Sequence, residues 1–182
     1  MADLISERLE VDDDFEAVQN LYLERGWTDG LPVVPPTTER VEAMLAATPL
    51  SPQDIIGEIP PNWGSATEEK LAVNAVMAGC RPEYLPVVIA AVEAMCDEAF
   101  NLYAIQATTH PCAPLIIVNG PIREELGLHG GSGAFGPGWQ PNATIGRAVR
   151  LVQLNVGGAH PGVGDMSTQG APSKYTYCVA EN

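Results

Sequence analysis

Basic residues are scarce in this chain: nine Lys and Arg stand against 23 Asp and Glu, a formal charge of -14 at neutral pH. That balance excludes nucleic acid and anionic membrane surfaces as partners, because the leading electrostatic term is repulsive. No apolar run approaches the roughly 20 residues that cross a bilayer. The acidic opening, MADLISERLEVDDDFE, has neither the basic nor the apolar region of a secretory signal. The four cysteines, at 80, 96, 112 and 178, include no close pair. This fits reduced thiols in a cytoplasm better than a disulfide framework or a C-x-x-C metal site. A Walker A lysine and a G-x-G-x-x-G after a strand are missing too, and Ser132 sits in Gly-Gly-Ser-Gly rather than in a G-x-S-x-G elbow. The three histidines, His110, His129 and His160, would join Asp29 and Asp165 in a metal site only if the fold gathered them. No pair has helical metal-ligand spacing, so no metal is expected.

What is present is distributed unevenly. Residues 1–119 hold 19 acids against five Lys and Arg, whereas residues 120–182 hold four of each and 13 of the 18 glycines. The stretch 128–158, LHGGSGAFGPGWQPNATIGRAVRLVQLNVGG, is the feature around which the chain is organised. Its glycines suit a loop that turns tightly or lies close to something else. Ile145, Ala148, Val149, Val152 and Val156 then recur at helical spacing, with Asn142 as N-cap and Gly157-Gly158 as the stop. A loop of this kind opening a helix exposes unpaired N–H groups at the positive end of the dipole, which suits an anion. Gly131, Ser132, Gly133, Asn142, Thr144 and Arg147 are therefore the candidate substrate-binding residues.

The remaining pattern alternates helices and strands. Residues 12–25 read as an amphipathic helix with Phe15, Val18, Leu21 and Tyr22 on one face. WTDGLPVVPPT forces a turn and then extended chain, bringing Asp29 to a pocket rim. ERVEAMLAAT is a second helix and DIIGEI a strand. Ser65-Ala66-Thr67-Glu68 is a capping box opening a helix to Cys80. EYLPVVIAAVEAMCDEA is a helix apolar on nearly all faces, tolerating Pro86 in its first turn. NLYAIQATT (101–109), PLIIV (114–118) and KYTYCV read as strands. The sum is an α/β or α+β fold. It is a single layered domain over 1–182 with a small sheet, buried helices and a glycine-rich loop before the 142–157 helix.

Chemistry is expected where elements end. His110 follows the 101–109 segment, and Cys112 two residues on permits a Cys/His arrangement. His110, Cys112 and Asp29 are the candidate catalytic residues, with His110 as proton donor or acceptor. This geometry requires the 101–109 strand to run toward the start of the 142–157 helix.

The segments WTDGLPVVPPT, GEIPPNWGSATEEKLAVNAVMAGCRPEYLPVV, FNLYAIQATTHPCAPLIIVNGP and KYTYCVAEN resemble a group of bacterial proteins. Some members carry, or occur beside, a UGSC-like, thioredoxin-like oxidoreductase domain. The resemblance spans nearly the whole chain. Thr109-His110-Pro111 matches the group's pattern as it stands, whereas Cys112 replaces what is often a small aliphatic residue. The resemblance implies polypeptide beyond Asn182, and so a chain that is one part or subunit of a larger assembly. Two functions follow as expectations. The first is a cytoplasmic small-molecule enzyme domain binding an anionic metabolite, with acid/base or thiol-assisted chemistry of lyase or oxidoreductase type. The alternative is a non-catalytic subunit in a homo-oligomer or hetero-oligomer, whose partner carries the active group. Sequence names no cofactor.

Overall fold

Helices begin where the sequence supplies caps. In the computed structural model, which describes residues 4–182, the Asp14 carboxylate accepts from Ala17 N and starts α1 (Phe15–Glu24). Val18 is buried there, while Phe15, expected on the inner face, is exposed. After the proline-rich segment, α2 (Thr38–Leu45) buries Val41, Met44 and Leu45, an i, i+3, i+4 set on one face. β1 (Ile55–Ile59) and β2 (Gly64–Thr67) form an antiparallel hairpin. α3 (Glu68–Ala78) starts on Thr67, whose hydroxyl accepts from Lys70 N, and ends at Gly79 with φ 87°. The expected cap, Ser65, lies instead within β2, paired with Glu58. α4 (Leu85–Cys96) carries Pro86 in its first turn and buries Leu85, Val88, Val92 and Met95, while Ala90, Glu93 and Ala94 face solvent.

The strand expected over 101–109 is a helix, α5 (Leu102–Ala107). Asn101 takes a left-handed conformation with φ 54°, and its side chain accepts from Ala104 N, capping the turn. Leu102 and Gln106, four apart, are the buried positions, a helical period rather than the period of two that a strand needs. β3 (Ile116–Val118) is shorter than the expected 114–118, and α6 (Ile122–Glu125) is a single turn. α7 (Gln140–Asn155) begins before Asn142: Trp139 occupies the N-cap position without a side-chain cap bond, and Pro141 sits in the first turn. Of KYTYCV only the end is strand, β4 (Cys178–Ala180), because Lys174 closes the 3-10 turn Pro172–Lys174. β4 pairs in parallel with β3.

Among the described residues, seven α-helices and two sheets of two strands each give the mixed α/β class expected. α3 and α7 form the centre of the core, where Leu71, Ala72, Ala75, Ile145, Ala148, Leu151 and Val152 are fully buried. Each such Leu or Ile side chain contributes about 2 kcal/mol by leaving water. α7 meets the segment leading into β4 at Gly146, where a Cβ would overlap Thr176 Oγ1 and Tyr177 N. Absence of a side chain there lets the two elements lie this close. Among the described residues no helix is long and apolar enough to cross a membrane.

Candidate functional site

The candidate site residues fall into three groups that do not coincide. The first is the stem of the glycine-rich loop. His129 stacks on Trp139 with ring centroids 3.7 Å apart and planes 3° from parallel. Asn142 Oδ1 accepts from His129 N at 2.9 Å, and Asn142 Nδ2 donates to His129 O at 2.9 Å. Asn142 is thus a buried clamp on the loop, not a helix cap with a free amide. Gly131, Ser132 and Gly133 lie beyond this clamp and are exposed, and Ser132 O lies 3.0 Å from His129 Nε2. The Thr144 hydroxyl donates back to Gln140 O at 2.8 Å within α7.

The second group is an ion pair. Arg147 Nε and one terminal nitrogen donate to the two Asp29 carboxylate oxygens, each at 2.8 Å, and the same terminal nitrogen also donates to Leu31 O and Pro32 O. Both side chains are largely buried, with 14% and 5% exposed. Burial pushes the Asp29 carboxyl up, but the Arg147 hydrogen bonds and charge outweigh it and hold the group below its usual range. Asp29 and Arg147, expected as a catalytic group and an anion anchor, neutralise one another and tie the Trp27–Pro32 turn to α7.

The third group was only half visible in sequence. Cys112 lines a narrow cleft with Gly146, Arg150, Gln153, Lys174 and Tyr177, whose enclosed space of about 10 Å³ is that of a single water molecule. Behind it lies Asp165, with only 2% of its side chain exposed. One oxygen of Asp165, Oδ2, receives both Lys174 Nζ at 2.8 Å and Arg150 at 3.2 Å. Its other oxygen accepts from Ser167 N and Ser167 Oγ. Arg150 continues inward to Ala159 O and Gln153 Oε1, and Gln153 Oε1 accepts in turn from Gln106 Nε2. Burial pushes the Asp165 carboxyl up, but Lys174 and Ser167 prevail and hold it below its usual range. Burial likewise pulls the Arg150 guanidinium down, opposed by the charge of Asp165.

The ledger of this cluster is two cations and one carboxylate, hence one surplus positive charge. Among the described residues no acid lines the cleft itself. Lys174 and Arg150 are each about nine-tenths buried, and an incompletely neutralised cation there is costly by several kcal/mol unless an anion completes it. Lys174 uses one of its three N–H donors on Asp165, its one hydrogen-bond partner among the described residues.

Sequence reasoning places neither Arg150 nor Lys174 among the candidate residues. The available signal was Arg150 itself, placed between Val149 and Leu151 on an inward-facing part of α7, where a cation demands partners. His110 does not line the cleft. It is exposed in a turn closed by Thr108, whose hydroxyl lies 3.1 Å from His110 Nδ1. The strand-end geometry expected for it is overturned, since the preceding segment is α5. Among the described residues no three His, Cys, Asp or Glu side chains gather as a metal site. Comparison of the chain with protein-family models, curated proteins and solved structures gives no match. What the fold and site define is therefore a class: an α/β chain with a cation-lined cleft between its central helix and the segment entering β4.

Proposed function

We propose that this chain is a small-molecule enzyme domain that binds the anionic group of a metabolite at the mouth of the narrow cleft bounded by Arg150, Lys174 and Gly146. The observation that carries this reading is the sharing of one carboxylate oxygen by two buried cations beside a cleft that no acid among the described residues lines, in a chain whose net charge is -14. A carboxylate or phosphate there gains charge-assisted hydrogen bonds in a partly desolvated setting. Cys112 stands at the cleft wall and supplies the nucleophile for thiol-assisted chemistry. Resemblance of the sequence segments to proteins associated with UGSC-like oxidoreductases supports an oxidoreductase-type reaction. His110, exposed in the turn that leads to Cys112, is the acid/base candidate. The four free cysteines support a cytoplasmic setting.

Thermal unfolding against a panel of phosphate, acetate and small dicarboxylates tests the anion site. A ligand at a hundred times its Kd adds about 2.7 kcal/mol of stability, or about 5–10 °C in Tm for a chain of this size. Lys174→Gln abolishes that increment. A panel in which nothing stabilises the wild-type chain more than it stabilises Lys174→Gln overturns the reading. A second reading, a non-catalytic subunit, draws on the exposed stacked pair Trp63 and Tyr103, with centroids 6.1 Å apart and planes 11° from parallel. Light scattering after size exclusion separates the two: an assembly held by that face dissociates in Trp63→Ser.

A further inference from the structure

Resting on the anion-binding reading above, we infer that the glycine-rich loop supplies the apolar half of the same site, so that the ligand is an amphipathic anion: a carboxylate or phosphate carried on an apolar, ring-sized body. The loop has a clamped stem and an exposed tip. The stem is held by the His129–Trp139 stack and by both amide atoms of Asn142. At the tip, Gly133 at φ 75° and Gly138 at φ 123° have no heavy atom within 4 Å of where a Cβ would stand. Phe135 nevertheless sits there with 69% of its surface exposed.

Its aromatic neighbour is Tyr177, with ring centroids 5.4 Å apart and planes inclined by 47°. Tyr177 lines the cleft together with Arg150 and Lys174. Tyr177 therefore links the two cations that line the cleft to the exposed ring of Phe135. An exposed phenylalanine on a glycine-rich tip adds nothing to the core and leaves apolar surface in water. A ring placed beside Phe135 and Tyr177 while its anionic group reaches Lys174 removes that surface from water and gains aromatic contact. An inorganic ion uses only the charged half.

Calorimetric titration of the full chain with inorganic phosphate and with phenyl phosphate tests this. Phenyl phosphate binds the wild-type chain about tenfold tighter, the increment of one aromatic contact. Phe135→Ala brings the ratio of the two affinities to about one, and Lys174→Gln weakens both ligands. Val163→Ser, on an exposed loop outside the cleft, serves as the control and keeps the wild-type ratio. Equal affinities in the wild-type chain, or a ratio that survives Phe135→Ala, overturn the inference while phosphate binding lost in Lys174→Gln leaves the anion site standing. Absence of binding by either ligand overturns both. A Phe135→Ala chain that changes its oligomeric state and keeps the ratio assigns Phe135 to a contact between copies, and that result also overturns the inference.

Discussion

Replacing Arg147 by methionine isolates the energetics of the Arg147–Asp29 pair. The substitution preserves most of the side-chain volume and removes the guanidinium that donates to both Asp29 oxygens and to the Leu31 and Pro32 carbonyls. Asp29, with 5% of its side chain exposed, is left as a buried carboxylate without a cation. Removing one partner of a buried pair costs about 3–5 kcal/mol, a large share of the roughly 5–15 kcal/mol that holds a domain together. For a chain of this size Tm falls by about 10 °C.

The pH dependence has a defined sign. In the wild type the Asp29 carboxyl is held below its usual range, so its stabilising contribution is present above the unfolded value and is lost as pH falls through the lowered folded value. In the variant the hydrogen bonds and charge of Arg147 are gone and burial is opposed by the weaker hydrogen bonds from Leu31 N and Thr28 Oγ1, so the carboxyl rises from its wild-type position and the penalty, full at neutral pH, shrinks as Asp29 takes a proton. Urea unfolding of both chains at neutral and at mildly acidic pH measures the gap. A difference under about 1 kcal/mol at neutral pH, the range of an exposed pair, or a gap that widens on acidification, refutes the argument.

Two further outcomes follow from neighbouring geometry. Asn142→Ala unpairs the backbone N–H of His129 and leaves its carbonyl only the Ala180 N–H, at a cost of about 1–3 kcal/mol; hydrogen exchange then quickens across residues 129–138, and unchanged exchange there contradicts the clamp. Thiol labelling of the native chain modifies Cys112 first, because it is exposed while burial pushes Cys80 and Cys178 up to about 12. Fast modification of Cys80 or Cys178 before Cys112 would contradict the packing around them.

The legible part of the fold was the part set by local rules. Val41, Met44 and Leu45 lie inward as their spacing requires, and Gly79 stops α3 in the left-handed region. The 101–109 segment misled because it is short and its helix depends on Asn101 as a cap, a local bond that outweighs the β-favouring Tyr103 and Ile105. The site was less legible for a different reason. Asp29 and Arg147 are 118 positions apart, and nothing local announces that they neutralise one another. Arg150, Asp165 and Lys174 are joined by the way the 158–178 segment folds back along α7, information held in tertiary packing such as the approach of Thr176 and Tyr177 to Gly146. Cys112 was visible by its residue type, and its companions were not.

The central claim is that the surplus charge of Arg150 and Lys174 makes the cleft, and not the amino end of α7, the anion site. The direct measurement is anomalous diffraction from crystals of the chain soaked in selenate or tungstate. The account predicts a peak in the cleft bounded by Gly146, Arg150, Lys174 and Tyr177, absent in Lys174→Gln. A peak at Gly131–Gly133 beside the first turn of α7, or a cleft that stays empty in the wild-type chain, would contradict it.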